Sequence, residues 1–351
     1  KIVDRAAIGF DATVALAGIL PTIRKDDVTP DALTPVPRFK ALFDVVQKAR
    51  GRNYEFHIEG VDQLITRDNP VAFGGCMTSF QIHLQTEPYD IVDLYNWSQA
   101  ISGPLLACAV NSPIFLGKRL WRETRIALFQ QTSDTRKPYQ NFIEEDARVS
   151  FGNQWVEKSI LEVFQDDVAK YRAYLSTDVD EDSVAMVEEG LVPKLKALTF
   201  HNGTVYKWNR PCYGVIDGKP HLRIENRIFP AGPTLEDEIA NTALWLGVMN
   251  ALPHEYRSIN KKMDFADAKD NFLKAARLGL EVQFHWFSKK SVPANELLLK
   301  EFLPLAKEGL ESQNLSKETI NHYLGIIEER VKTGRTGAKW MLDSYNKLTR
   351  N

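Results

Sequence analysis

Several things are scarce in this sequence, and each scarcity closes a class of function. Cysteine occurs three times in 351 residues, at Cys76, Cys108 and Cys212. The three are scattered without metal-ligand spacing, and an odd, low count fits reduced thiols in a cytosolic setting. No apolar run approaches the roughly 20 residues that a membrane-spanning helix needs, and no signal peptide heads the chain. A charge excess is missing too. With 44 basic and 46 acidic residues the formal net charge is −2, so no global field recommends nucleic acid or an anionic membrane. No internal repeat or low-complexity tract occurs, and no domain boundary stands out. What remains is 44% hydrophobic and 26% charged, ordinary for a globular chain able to bury a large core. The chain opens on Lys1 rather than Met, as a fragment or processed product does.

One stretch organises the rest. From His221 to Arg227, Leu222 and Ile224 alternate with Arg223, Glu225 and Arg227, and a strand sends alternate side chains to opposite faces. Two arginines and a carboxylate therefore share one face of a predicted strand. Pro230, Gly232 and Pro233 end it, and Thr234-Leu235-Glu236-Asp237 opens a helix with a capping-box pattern. Read plainly, this is a solvated strand. Read more sharply, Glu225 holds a divalent metal while the arginines hold phosphoryl oxygens.

A second stretch, Thr78 to Gln85, follows Gly74-Gly75. Phe80, Ile82 and Leu84 lie on one side, and Gln81, His83 and Gln85 on the other. Three neutral ligand-type groups in line suggest the floor of a site, against the alternative of a hydrated sheet surface.

Around these, Ala6–Leu20 reads as a buried strand or helix and residues 21–37, with four prolines, as a loop. Helical spacing predicts helices over 39–49, over 90–110 with a kink at Pro104, and over 187–200, 235–252, 267–280, 295–310 and 317–332. Residues 54–66 read as short strand or turn pieces, and 206–213 as an aromatic strand or loop. Asp178–Asp182 reads as a solvated acidic loop, since it lacks the glycine and closing Glu of a calcium loop. Between Lys118 and Arg136 the basic residues are mostly arginines (Arg119, Arg122, Arg125, Arg136), which suits bidentate recognition of carboxylate or phosphate. The basic, glycine-punctuated stretch 332–340 is a candidate phosphate-contacting loop without Walker spacing. Short alternating strands between long helices favour an α+β class, an antiparallel sheet backed by helices.

Taken together, these motifs resemble the glutamate–cysteine ligase family, in its bacterial carboxylate–amine ligase branch. The residues that carry the likeness are Thr78 to Gln85, Ala109-Val-Asn-Ser-Pro113, Trp121 to Arg125 with Thr132 to Arg136, and Leu222 to Arg227 with Gly232 to Asn241. The likeness spans about Arg38 to Leu310. It implies a glutamine synthetase/guanido kinase type of fold and an ATP-dependent ligase working with Mg2+. A glutamate carboxylate would attack the γ-phosphate, and an amine, cysteine being the best-known, would displace the acyl phosphate. It also implies site roles: Glu225 and Gln81 on a metal, His83, Gln85, Arg136 and Arg223 around nucleotide or substrate, and Arg227 and Arg125 as catalytic cations. A cytoplasmic protein with small-molecule substrates follows, and a homo-oligomer is compatible with it.

The sequence departs from the family in one place. Members begin with a strand bearing a Glu-x-Glu pair and a further acidic strand, and neither is found in residues 1–39. The expectation is a single catalytic-type domain over 1–351 whose acidic strands lie upstream or have been lost. Two alternatives stay open: a non-catalytic amino-acid or nucleotide-binding homologue, and a guanidino phosphotransferase on the same fold.

Overall fold

A helix that is apolar on nearly every side has to be surrounded, and the chain wraps around one such helix, α1 (Ile91–Ala109). Trp97, Ala100, Ile101, Leu105 and Leu106 in α1 are wholly buried. Pro104 lies inside α1 without ending it. In this computed structural model the described residues are 2–50, 54–68, 70–134, 136, 147–174, 178–287 and 290–349.

Packed on α1 is a three-stranded antiparallel sheet of β1 (Ile82–Thr86), β2 (Asn209–Ile216) and β3 (Lys219–Asn226), with β3 in the middle. The register puts His83 and Arg210 on either side of Glu225, and Gln85 and Cys212 on either side of Arg223. Cross-strand partners share a face, so these six residues stand on one side and Leu84, Ile224 and Pro211 on the other. Other helices complete the backing: α2 (Thr124–Thr132), α3 (Leu235–Asn250), α4 (Phe265–Leu278) and α5 (Lys317–Thr333). The fold is thus mixed helix and sheet, with antiparallel strands backed by helices, as expected from the sequence.

The sheet is seated on α1 by a polar knot in an otherwise apolar core. Asn209, wholly buried, donates to the Ser98 carbonyl (3.1 Å), Gln99 Oε1 (2.8 Å) and Ser102 Oγ (2.8 Å). Asn226 Nδ2 donates back to Asn209 Oδ1 (2.9 Å), and Tyr95 Oη to the Asn209 carbonyl (3.3 Å). A buried amide with its partners in place holds one register; with partners missing it is costly.

Helix α3 begins as its sequence predicts. Thr234 Oγ1 accepts from the Asp237 amide, and Asp237 accepts from the Thr234 amide. A second, smaller core of Phe56, Phe73, Phe115 and Leu128 lies beneath the hairpin Tyr54–Glu59/Gln63–Asp68.

Two expectations fail here, and a third segment takes a definite form. Residues 6–20 are not a buried element. Ile2–Ile8 form an exposed helix, and within 6–20 only Gly18 and Ile19 are buried. The span 187–200 is two pieces, Ser183–Glu188 and Lys196–Asn202, separated by a turn at Gly190. Finally, 332–340 is a helix-to-helix turn. Gly334 ends α5 in the left-handed conformation, and Thr336 caps the next helix, Gly337–Leu348. Lys332 pairs with Glu328 and Lys339 with Asp343, while Arg335 is exposed.

Replacing Asn209 by Ala strands the Asn226 amide and the hydroxyl and carbonyls of α1. Urea unfolding should show a loss of about 3 kcal/mol; a loss under about 1 kcal/mol would mean the knot does not seat the sheet.

Candidate functional site

The polar face of the sheet is built around Glu225, which is 2% exposed. Arg210 Nη2 reaches both its carboxylate oxygens, at 3.0 and 2.9 Å, and Arg227 Nη1 reaches Oε1 at 2.8 Å. Burial alone would raise this carboxyl group's pKa. Arg210 and Arg227 outweigh burial and hold it below the ordinary glutamate value.

Beside it, His83 Nδ1 accepts from Arg223 Nε at 3.0 Å. That fixes the neutral tautomer with its hydrogen on Nε2, which lies 3.3 Å from Gln81 Oε1 and 3.8 Å from Glu225. Burial, together with Arg223, Arg210 and Arg227, lowers the imidazole pKa against the opposing pull of Glu225. Gln85 stands opposite Arg223 and is exposed. Gly214 supplies the room for this layout, because a Cβ there would lie 2.6 Å from His221 Nε2 and 3.0 Å from Arg223 Nη1.

Of the predicted site residues, Gln81, His83, Gln85, Arg223, Glu225 and Arg227 therefore come together. Arg210 joins them, and the sequence reading missed it. Its signal was present: Arg210, Cys212 and Gly214 alternate with Pro211, Tyr213 and Val215.

Arg125 is not among them. It is 3% exposed and lies behind the loop that follows β3. Its Nε donates to Glu123 Oε1 (3.1 Å), its Nη2 to the Ile228 carbonyl and its Nη1 to the Arg227 carbonyl (3.5 Å). Its guanidinium lies 5.5 Å from the Trp208 ring. Glu123, wholly buried, also accepts from the Asn111 amide (2.8 Å) and Ser112 Oγ (2.6 Å). Asn111 Nδ2 in turn donates to the Ala231 carbonyl at 2.7 Å. The Asn-Ser-Pro turn and the arginine segment are thus fastened to residues 227–231, with Arg125 bonded to the backbone of Arg227 and Ile228.

The other arginines of the 119–136 stretch have carboxylate partners within the protein. Arg119 pairs with Asp62, Arg122 with Glu281 and Arg136 with Asp134.

Nor does the donor set around Glu225 fit a divalent cation. Both carboxylate oxygens accept from arginine, Gln81 is the only other predicted ligand, and among the described residues no three His, Cys, Asp or Glu side chains gather in a metal-holding group. A divalent ion there would meet Arg210, Arg223 and Arg227 at close range. Three guanidiniums against one carboxylate suit an anion instead. On the far side of Arg227, 5.9 Å from its guanidinium, the Tyr206 ring walls a cavity of about 480 Å³.

A family model described as glutamate-cysteine ligase family 2 matches residues 6–350. No curated protein matches the chain.

Glu225→Gln keeps the side chain's size and removes the only charge opposing the arginines. Breaking a buried pair in this way should cost about 3–5 kcal/mol at neutral pH. The folded carboxyl's pKa is depressed, so its stabilising effect is complete above the ordinary glutamate value of 4.5 and is lost as pH falls below it. Denaturant titrations of both proteins from pH 7 to pH 3 should converge; a gap that widens toward acid would overturn the assignment.

Proposed function

The chain belongs to glutamate-cysteine ligase family 2, and on that premise we propose that it is an ATP-dependent carboxylate–amine ligase forming γ-glutamyl amides. The observation that carries this reading is the pairing of Arg210 and Arg227 with one buried glutamate, with Arg223 on the same face bonded to His83, on the floor of an antiparallel sheet that we assign to the glutamine synthetase/guanido kinase type.

The γ-carboxylate of glutamate attacks the terminal phosphorus of ATP. A carbon-bound oxygen–phosphorus bond forms, the bond to ADP breaks, and an acyl phosphate results. An amine then adds to the acyl carbon, and phosphate leaves with the electron pair of the broken C–O bond. Phosphoryl transfer depends chiefly on positioning and charge stabilisation. Arg227, fixed from behind by Arg125, is assigned to the transferring phosphoryl group. Arg223 and Arg210 neutralise the neighbouring oxygens, and neutral His83 with Gln85 lines the same edge. Glu225 organises the arginines. The resemblance implies Mg2+, but the face provides no carboxylate free to hold it, so every assigned role rests on the arginines. The three cysteines are free thiols, in keeping with a reducing cytoplasm, and no helix among the described residues is long and apolar enough to cross a membrane.

A second reading is a homologue that binds an amino acid or nucleotide without turnover. Its support is the full engagement of Glu225 by Arg210 and Arg227. Coupled ADP release on the complete gene product separates the two. The ligase needs glutamate and an amine together, and Arg227→Ala or Arg210→Ala should lower kcat/KM by about 100-fold or more. Release driven by a guanidino compound without glutamate would instead mark a phosphotransferase, and no release under any pairing would leave the binding homologue.

A further inference from the structure

Arginines in this fold sort by what balances them. Among the described arginines that are not exposed, Arg119, Arg122, Arg125, Arg136, Arg210, Arg227 and Arg330 each have a carboxylate within an ion-pair distance. Two do not. Arg223 is on the sheet face already described, and Arg148 lies elsewhere.

Arg148 is 5% exposed and lines the cavity of about 480 Å³ next to Tyr206. Its Nη1 donates to the Thr204 carbonyl (3.0 Å) and hydroxyl (3.4 Å), and its Nη2 to the Arg172 carbonyl (2.6 Å). The Tyr174 ring lies 3.5 Å from the guanidinium and the Tyr171 ring 5.4 Å. These contacts fix its plane but bring no negative charge, and three bonds do not use the five N–H donors of a guanidinium. A buried cation without a counter-charge is costly, so the arrangement calls for an anion. Much of the rest of the wall is of the opposite kind, Leu33, Phe39, Leu42, Phe129 and the Tyr206 ring, with the hydroxyls of Thr34, Thr132 and Ser133 among them.

We propose that this cavity binds the amine substrate, and that the substrate is an α-amino acid with a bulky apolar side chain. Its carboxylate pairs with Arg148 and its side chain lies against Leu33, Phe39 and Leu42. The inference rests on the ligase reading for the identity of the reaction. The free amine adds to the acyl carbon while phosphate departs with the C–O electron pair, and the proton lost from nitrogen passes to solvent. A cysteine side chain would leave most of this volume without contacts. A purine would need amide or carboxylate partners along its edge, whereas among the described residues no Asp, Glu, Asn or Gln lines the cavity, only the hydroxyls of Thr34, Thr132, Ser133 and the tyrosines.

The test uses the complete gene product with ATP and glutamate, comparing L-phenylalanine, L-leucine, glycine, L-cysteine and phenethylamine by ADP release. Phenylalanine should exceed glycine and cysteine in kcat/KM by tenfold or more, and should exceed phenethylamine, which has no carboxylate, by a similar factor. Leu42→Trp, which fills the cavity, should cut the phenylalanine-to-cysteine ratio tenfold, and Arg148→Lys should restore part of the phenylalanine preference that Arg148→Met removes. Preference for cysteine or glycine overturns the proposal and leaves the ligase standing. A Leu42→Trp effect on ATP alone also overturns it, by assigning the cavity to the nucleotide. If no amine releases ADP, the ligase reading falls, and calorimetry still decides the cavity: heat with phenylalanine but not phenethylamine upholds the site, and no heat with either removes it.

Discussion

One buried carboxylate held between two guanidiniums sets the geometry of the sheet face. Without Arg210 and Arg227, burial would drive Glu225 toward its neutral form. Without Glu225, Arg210 and Arg227 would repel each other in a medium that screens poorly. Each partner is affordable only because the others are there, which makes the triad an all-or-none feature. Its product is a set of cations whose directions are fixed before any ligand arrives, and preorganised charge does not have to be rearranged during a reaction.

The triad is held from two sides. Below, Asn209 and Asn226 tie β2 and β3 to Ser98, Gln99 and Ser102 on α1. Beyond the strand end, Arg125, itself held by Glu123, donates to the carbonyls of Arg227 and Ile228, while Asn111 donates to that of Ala231. Arg227 sits where the two supports meet. Most polar groups this deep have their partners in place; Asn111 Oδ1, Asn226 Oδ1 and Arg210 Nε have none.

Period-two alternation in the sequence was enough to put Arg223 and Glu225 on one face of their strand and His83 and Gln85 on one face of theirs, and the capping box at Thr234 marked where the helix begins. Pairing was not legible. A strand's alternation says which residues share a face but not which strand lies alongside, so Arg210 stayed hidden in a segment noted for its aromatics. Arg125 is a different case. Composition shows a cation suited to bidentate contacts, yet only the fold decides whether the acid is a ligand or Glu123, two residues away. The same holds for Arg119, whose partner Asp62 lies far off in sequence. Residues 6–20 and 187–200 failed because short apolar runs carry no sign of whether tertiary packing will cover them.

A formal net charge of −2 on the whole chain had argued against any strong field, and at long range that holds. Locally it does not. Arg210, Arg223 and Arg227 against Glu225 leave an excess of two positive charges on one face, and Arg148 leaves one more beside the cavity. Carboxylates elsewhere balance the total without reaching these positions, and in a partly buried setting nearby charges dominate because distant ones are screened. Global neutrality and a local anion site are therefore compatible. The informative quantity is which buried cations lack an acid of their own, and here both lie next to open space: Arg223 at the sheet face and Arg148 at the cavity wall.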